Sequence, residues 1–186
     1  MTDAASDVLT LVVCGAPLAS RAADVATELG AIGWTVTVVA SPASRAWLDI
    51  DAVEAAAGRP VLFEQRDAHQ IRGPRPASVV ACPLTMNTAS KAATAIMDTY
   101  AAGVLVDALA AGTPLTLTLM VSDRLWTHPA WSGHLATLGK AGARFVSANT
   151  GMVGEPEPVQ SGTGPDVVGA FDPTALARAV GPPRRS

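Results

Sequence analysis

The feature that most constrains the fold is an alternation of short, continuous apolar runs with longer stretches of helical periodicity. The runs have the length of buried strands and lie at residues 9–14, 34–40, 60–63, 78–82, 115–121 and 143–146. Periodic stretches at residues 19–29, 43–57, 87–111, 129–138 and 172–180 predict helices. Strands that are apolar throughout and alternate with helices are typical of a parallel sheet covered on both faces. The sequence therefore predicts an α/β fold: a single-domain, doubly wound, Rossmann-like parallel sheet of about six strands, with helices on both faces.

Composition supports one globular domain over residues 1–186. Hydrophobic residues make up 49% of the chain and charged residues 16%, a balance that excludes a disordered protein. The net charge of −3 argues against nucleic acid as a partner. No uninterrupted apolar stretch reaches the roughly 20 residues of a membrane span, and residues 1–7 lack the pattern of a signal peptide. Cys14 and Cys82 lie in predicted strands, so we expect free thiols in a reducing cytoplasm.

Two kinds of irregular segment are expected within this domain. Residues 1–7 and 181–186 are predicted to be loose ends. Residues 151–169 are rich in Gly, Pro, Glu and Ser and are too long for an ordinary connector, which predicts a flap or mobile loop.

In an open parallel sheet, ligands bind at the carboxyl ends of the strands, which directs attention to the loops there. The first loop contains Gly15 and Ala16 but not the three glycines of a dinucleotide fingerprint, so that assignment is weak. The second loop offers Ser41 and Ser44 ahead of a helix. Two hydroxyls at this position suit a phosphate, although one of them could simply cap the helix.

The loop after the fourth predicted strand is the most unusual. It carries Thr85, Met86, Asn87 and Thr88 just before a long predicted helix. An asparagine amide both donates and accepts hydrogen bonds, which matches the imide edge of a flavin or a nucleobase. Capping of the helix by Asn87 or Thr88 is the plainer alternative, and the loop alone leaves both interpretations open.

Histidines provide one further candidate. His69 lies in a polar loop and could act as an acid or base, or could be a solvated surface residue. His128 and His134 are expected to face solvent or a neighbouring element. No cluster of His, Cys, Asp and Glu has metal-ligand spacing, so no metal is expected, and neither a GxSxG elbow nor a P-loop occurs.

Taken together, these loops resemble the homo-oligomeric flavin-containing cysteine decarboxylases, a family that includes phosphopantothenoylcysteine decarboxylase and the peptidyl-cysteine decarboxylases of lantibiotic biosynthesis. The resemblance covers roughly residues 9–156. Its most specific part is the family pattern P-x-S-A-N-T-x-x-K-x-A-x-G-x-x-D over residues 83–98. Thr85, Met86 and Ala95 replace the family serine, alanine and glycine. The matching residues are Pro83, Asn87, Thr88, Lys91, Ala93 and Asp98.

Two other stretches extend the resemblance. His69 lies 14 residues before Pro83, the spacing of the family's active-site histidine. The family's second motif, P-x-M-N-x-x-M-W, aligns with residues 119–126. There Trp126 matches, whereas Leu119 falls on the proline and Ser122 on the asparagine that the family uses at the substrate carboxylate.

The resemblance implies an FMN-dependent oxidative decarboxylase of a cysteine-containing substrate, most simply a peptide with a C-terminal cysteine that becomes an enethiol. A thioaldehyde formed by oxidation of the thiol would drive loss of the carboxylate. The absence of a cysteine near residues 154–156 argues against the coenzyme A pathway step. His69 and Ser122 would be catalytic, and the FMN ligands would be Gly15, Ala16, Ser41, Ser44, Thr85, Met86, Asn87, Thr88 and Met120.

The resemblance also implies a homo-oligomer, a trimer or a dodecamer of four trimers, with FMN at the subunit interface. Two alternatives remain. The chain could be an FMN-binding flavoprotein of this fold that acts on another substrate or has a regulatory role, because Ser122 and Leu119 depart from the family motif. It could also be a prenyl-transferring flavoprotein, although no basic cluster obviously supports binding of a prenyl phosphate.

Overall fold

The computed structural model describes residues 7–65, 69 and 75–184. Its strands are β1 Val8–Val13, β2 Thr35–Ala40, β3 Ser78–Leu84, β4 Leu115–Leu119 and β5 Arg144–Phe145. These five parallel strands form one sheet in the order β2-β1-β3-β4-β5. This confirms the expected α/β fold, although the expected sixth strand is wrong. The order reverses direction between β1 and β3, where doubly wound sheets leave a crevice for ligands.

The expected strand at residues 60–63 is reduced to a single bridge between Val39 and Leu62. The Leu62 N–H donates to Val38 at 2.9 Å, and the Leu62 carbonyl accepts from the Ala40 N–H at 2.8 Å. Pro60 has no N–H to extend this ladder toward the start of the segment. The segment therefore lies against the outer edge of β2 without becoming a strand.

Helices cover both faces of the sheet, as expected. Alternate residues of β1 point to opposite sides, with Leu11 in one hydrophobic core and Val12 in the other. The helices are α1 Ala22–Ala31, α2 Ile50–Ala57, α3 Met86–Ala93, α4 Tyr100–Ala111, α5 Asp123–Trp126, α6 Trp131–Lys140, α7 Gly164–Ala170 and α8 Pro173–Val180. Helices α1, α2, α7 and α8 contribute to the first core, and α3, α4 and α6 to the second.

The helix expected over residues 87–111 is divided in two. After α3 the chain turns at Ala95, whose φ of 58° lies in the left-handed region. Thr99 then begins α4, because its side chain accepts a hydrogen bond from the Ala102 N–H at 3.2 Å. A salt bridge of 2.8 Å between Lys91 and Asp98 spans the break.

Part of the segment expected to be a flap packs against the end of the sheet. Within residues 151–169, Val159 forms a parallel bridge with Ser122, and α7 begins at Gly164. Whether this segment moves stays a prediction. The ends expected to be loose are described only at residue 7 and residues 181–184, and the rest of them lie outside the described residues. None of the described helices is both long and apolar enough to cross a membrane.

Candidate functional site

The loops after β1 and β2 are pressed together at the carboxyl edge of the sheet. The Ser41 N–H donates to the Val13 carbonyl at 2.8 Å, which ties the second loop to the first. A Cβ atom placed on Gly15 would lie 2.6 Å from the Ala43 carbonyl oxygen. Because that contact is with backbone, a side chain at Gly15 would force the two loops apart.

The two serines of the second loop have different surroundings. Ser44 is fully buried, and its hydroxyl donates to the Ser41 carbonyl at 2.6 Å, so it closes the 3₁₀ turn Pro42–Ala46. Ser41 begins that turn, yet its side chain makes no capping bond. Folding therefore leaves the Ser41 hydroxyl uncommitted, whereas the Ser44 hydroxyl is used within the turn.

The loop after β3 contains backbone N–H groups that have no acceptor within the helix that follows. Thr85 precedes α3, but its side chain makes no capping bond. The first backbone bond into this helix is from the Ala89 N–H to the Thr85 carbonyl at 3.0 Å, so the N–H groups of Met86, Asn87 and Thr88 have no helical acceptor. Asn87 is exposed. Neither Asn87 nor Thr88 caps the helix, in contrast to the plainer interpretation of this loop.

The two cysteines are structural in this arrangement. Both are free and buried, as expected. Burial raises the pKa of the Cys14 thiol, although hydrogen bonds involving Thr88 and Thr85 oppose that shift. Burial also raises the pKa of Cys82 to about 12. Both thiols are therefore protonated at neutral pH, which makes them poor nucleophiles.

The loop after β4 borders a cavity of about 340 Å³. Met120 is fixed there because its N–H donates to the Leu84 carbonyl at 2.9 Å and its Sδ accepts from the Leu18 N–H at 3.3 Å. The cavity brings together three residues expected from the sequence, namely Ala16, Met120 and Ser122. We call residues 159–165, which close the other side, the strap. The other lining residues are Pro17, Val159, Gln160, Ser161, Gly162, Gly164 and Pro165.

Ser122 has a structural role as well as its place in the cavity. It precedes α5, and its hydroxyl accepts a hydrogen bond from the Leu125 N–H at 3.4 Å. The adjacent Asp123 is exposed and accepts hydrogen bonds from Ser161 of the strap. These bonds, chiefly that from the Ser161 hydroxyl, hold the pKa of the Asp123 carboxyl below its usual value.

A second cavity, of about 270 Å³, lies beside the Ser41 loop. Its lining includes Pro42, Phe63, Met97 and Tyr100. Arg45 stacks over the Phe63 ring at 3.6 Å from the centroid. Several large apolar side chains on or next to these elements are exposed, and they are Trp47, Leu62, Ile96 and Met97.

His69 is the candidate that the structure leaves apart from the others. It is exposed and lies between residues 66–68 and 70–74, which are outside the described residues. No described contact joins it to the cofactor loops or to Ser122. Among the residues that the structure describes, no group of three or more His, Cys, Asp or Glu side chains could hold a metal ion.

The strap is the part of the candidate site whose residues the sequence did not identify one by one. Its Gly, Pro and Ser content gave a signal for an irregular segment, but not for Gln160 or Ser161 as walls of a cavity. That assignment needs the bridge between Ser122 and Val159, a contact between residues far apart in the chain.

With this geometry in place, comparison with known proteins assigns the chain. A family model described as Flavoprotein matches residues 2–168. The chain belongs to the flavoprotein family. This confirms the family resemblance found in the sequence and the expected flavin cofactor, and FMN is the flavin named for several similar solved structures.

Solved structures support the fold of this flavoprotein. SpaF, described as an FMN-dependent cysteine decarboxylase, is 24% identical with a TM-score of 0.63, covering 77% of this chain and 85% of its own. TvaF, a second such decarboxylase from thioviridamide biosynthesis, is 21% identical with a TM-score of 0.64, over 75% and 88% of the two chains. The FMN-binding protein AtHal3 is 15% identical with a TM-score of 0.70, over 93% and 94%. No curated protein sequence matches.

Proposed function

We propose that this flavoprotein is an FMN-dependent oxidative decarboxylase of a cysteine-containing substrate, namely a peptide whose C-terminal cysteine becomes an enethiol. One observation carries the proposal. Ser122, at the position of the family's carboxylate-binding asparagine, shares a cavity with Ala16 and Met120, which belong to the proposed cofactor set. The substrate group and the cofactor would therefore meet at one place on the carboxyl edge of the sheet.

The donors at the carboxyl edge fit FMN. A phosphate needs hydroxyl and N–H donors, and the uncommitted Ser41 hydroxyl lies in the loop that Gly15 allows to approach β1 closely. A flavin ring edge needs both donors and acceptors, which the exposed Asn87 amide can supply. The Thr85 hydroxyl, which also hydrogen-bonds to the Cys14 thiol, would lie beside it. Ala16, Ser44, Met86, Thr88 and Met120 complete the proposed set, with Ser44 and Thr88 acting through the shape of their loops.

The remaining chemistry falls to two side chains. When bound, FMN accepts the two electrons removed from the substrate thiol. His69 would exchange the proton that leaves the thiol. Ser122 would donate a hydrogen bond to the substrate carboxylate and hold it until its carbon leaves as CO₂.

A second copy of the chain completes the proposed assembly, a trimer or a dodecamer of four trimers. The exposed Met97 lines the 270 Å³ cavity next to the Ser41 loop, and the exposed Leu62 and Ile96 adjoin its lining residues in the sequence. Trp47, also exposed, follows the Ser41 loop. Apolar surface of this kind next to a binding site favours an interface between subunits. Light scattering at micromolar concentration should give at least a trimer mass, and a monomer mass would refute this part of the proposal.

A second candidate is an FMN-binding protein of the same fold with another substrate or a regulatory role. The observation that favours it is the capping bond of Ser122, because that hydroxyl already accepts from the Leu125 N–H.

A prenyl-transferring flavoprotein is the weaker alternative. None of the residues that line the 340 Å³ cavity is charged, whereas a prenyl phosphate calls for cationic partners.

Two measurements on the purified protein test the proposal. The absorption spectrum should show oxidised flavin, with FMN identified by mass after denaturation, and a protein that stays colourless with excess FMN would refute the cofactor assignment.

The His69→Asn variant should retain FMN but lose turnover of a peptide with a C-terminal cysteine. Loss of FMN instead would place His69 in cofactor binding, and unchanged turnover would exclude it from the chemistry.

A further inference from the structure

The strap is fixed to the end of β4 by a short parallel ladder. Val159 forms a bridge with Ser122. Its N–H donates to the Val121 carbonyl at 2.8 Å, and its carbonyl accepts from the Asp123 N–H at 2.9 Å. The first residue of the strap is therefore paired with the serine proposed to bind the substrate.

The Asp123 carboxylate adds a second attachment at Ser161, two residues further along the strap. Its Oδ1 accepts from the Ser161 N–H at 3.1 Å and from the Ser161 hydroxyl. The same oxygen accepts from the Arg124 N–H at 2.9 Å within α5. One ionised oxygen thus binds two donors of the strap, an arrangement stronger than neutral hydrogen bonds.

The far end of the strap is seated by packing. A Cβ atom on Gly164 would lie 3.1 Å from Pro17 Cγ and 4.0 Å from Met120 Cε. The absence of a side chain at Gly164 therefore lets the strap lie close to the loop after β1. Between these two attachments, Gln160, Ser161 and Gly162 form the outer wall of the 340 Å³ cavity.

We infer that Asp123 is a positioning residue that fastens the strap through Ser161 and so maintains the outer wall of the substrate cavity. The part that concerns substrate rests on the proposed function. The same bonds have an electrostatic consequence. The Asp123 carboxylate lies next to the serine proposed to bind the substrate carboxylate, and the two Ser161 donors partly offset its negative charge there.

Hydrogen exchange with mass spectrometry on the FMN-loaded protein tests the fastening directly. The variants are Asp123→Ala, Ser161→Ala and the double variant, with Asp166→Ala in α7 as the matched control. Ser161→Ala removes the hydroxyl bond and should speed exchange in the peptide that contains residues 159–165 by about fivefold. Asp123→Ala should speed it more, because the Ser161 N–H also loses its acceptor. The double variant should match Asp123→Ala, because without the carboxylate the Ser161 hydroxyl has no bond left to lose.

Steady-state kinetics separate positioning from a merely structural role. If Asp123 maintains the cavity wall, Asp123→Ala and Ser161→Ala should raise KM by about fivefold with kcat unchanged and FMN retained. Unchanged exchange in both variants would overturn the fastening, and faster exchange with unchanged KM would overturn the positioning role. If the wild-type protein turns over no peptide, the proposed function fails, whereas the exchange data still decide the fastening.

Discussion

The loops after β1, β2 and β3 differ from the end of β4 in how they use their polar groups. After the first three strands, the Ser41 side chain stands at a turn start without capping it and Asn87 is exposed, whereas Thr85 caps nothing but hydrogen-bonds to the Cys14 thiol. At β4, Ser122 caps α5 and Asp123 holds the strap. Both regions lie at the same edge of the sheet, so position alone does not explain the contrast.

We interpret this difference as one between residues available to a ligand and residues used by the fold. A polar group that makes no local bond at a ligand-binding edge is available to a ligand without loss of stability. A polar group that caps a helix costs stability when it is removed. We therefore expect changes at the cofactor loops to affect mainly FMN binding. Changes after β4 should affect both stability and substrate.

The largest effect is expected from a substitution where the loops after β1 and β2 are in closest contact. Gly15→Ala places a Cβ atom against the Ala43 backbone and should destabilise the fold by about 1–3 kcal/mol, with loss of FMN retention. Gly30→Ala in α1 is the control, because a Cβ atom there meets nothing within 4 Å. Thermal unfolding and flavin absorption measure both outcomes. A Gly15→Ala protein that keeps its stability and its FMN would show that the two loops can separate freely.

The next largest effect is expected from Ser122→Asn, which separates the capping role of this residue from its proposed role in binding substrate. Asparagine caps helices as well as serine does, so Ser122→Asn should leave the unfolding temperature unchanged while supplying a planar amide. We expect kcat/KM for a peptide with a C-terminal cysteine to rise about tenfold, because the amide can offer the charged carboxylate a second donor that the single Ser122 hydroxyl lacks. Peptide turnover by mass spectrometry measures this rise. An unchanged or lower kcat/KM would remove Ser122 from the carboxylate site.

Asn87→Ala tests the claim that the cofactor loops carry uncommitted groups. The side chain is exposed and caps nothing, so the unfolding temperature of the FMN-free protein should not change. The dissociation constant for FMN should rise roughly five- to tenfold, as for the loss of one hydrogen bond. Thr94→Ala, at the other end of α3, is the control. Equal FMN affinity in Asn87→Ala and wild type would contradict the proposed flavin contact.

The smallest expected effect concerns the pKa of Asp123. Ser161→Ala removes the hydroxyl that donates to the Asp123 carboxylate, so the pKa of Asp123 should rise toward its ordinary value. Because that pKa is lowered in the folded protein, the ionised carboxylate stabilises the fold above the ordinary pKa, and this contribution is lost as the pH falls through the lowered value. An NMR titration of the Asp123 carboxyl carbon measures the shift. No change in Ser161→Ala would assign the lowered pKa to Arg124 and the start of α5 instead.

The sheet was predictable because its strands are buried on both faces and their apolar runs are continuous. The segment at residues 60–63 has the same appearance, but it lies at the edge of β2, where one bridge is enough to hold it. The break in the helix over residues 87–111 was missed because alanine at 95 favours a helix, whereas the structure gives it a φ of 58°. Thr99 was the signal that could have located the restart.

The candidate site was predictable where it depends on local motifs. Thr85, Met86, Asn87 and Thr88 are neighbours in the sequence, and the carboxyl-end rule places them at the crevice. Asp123 and Ser161 lie 38 residues apart, so their pairing required the tertiary structure. The same holds for the cavity that Ala16 and Ser122 share.

The central claim is tested most directly by the mass of a synthetic peptide with a C-terminal cysteine after incubation in air with the FMN-loaded protein. Oxidative decarboxylation to an enethiol predicts the loss of CO₂ and two hydrogen atoms from the peptide. A control peptide with a C-terminal serine should keep its mass. If the cysteine peptide also keeps its mass while the protein carries a full complement of FMN, the account of this chain as a cysteine decarboxylase is wrong.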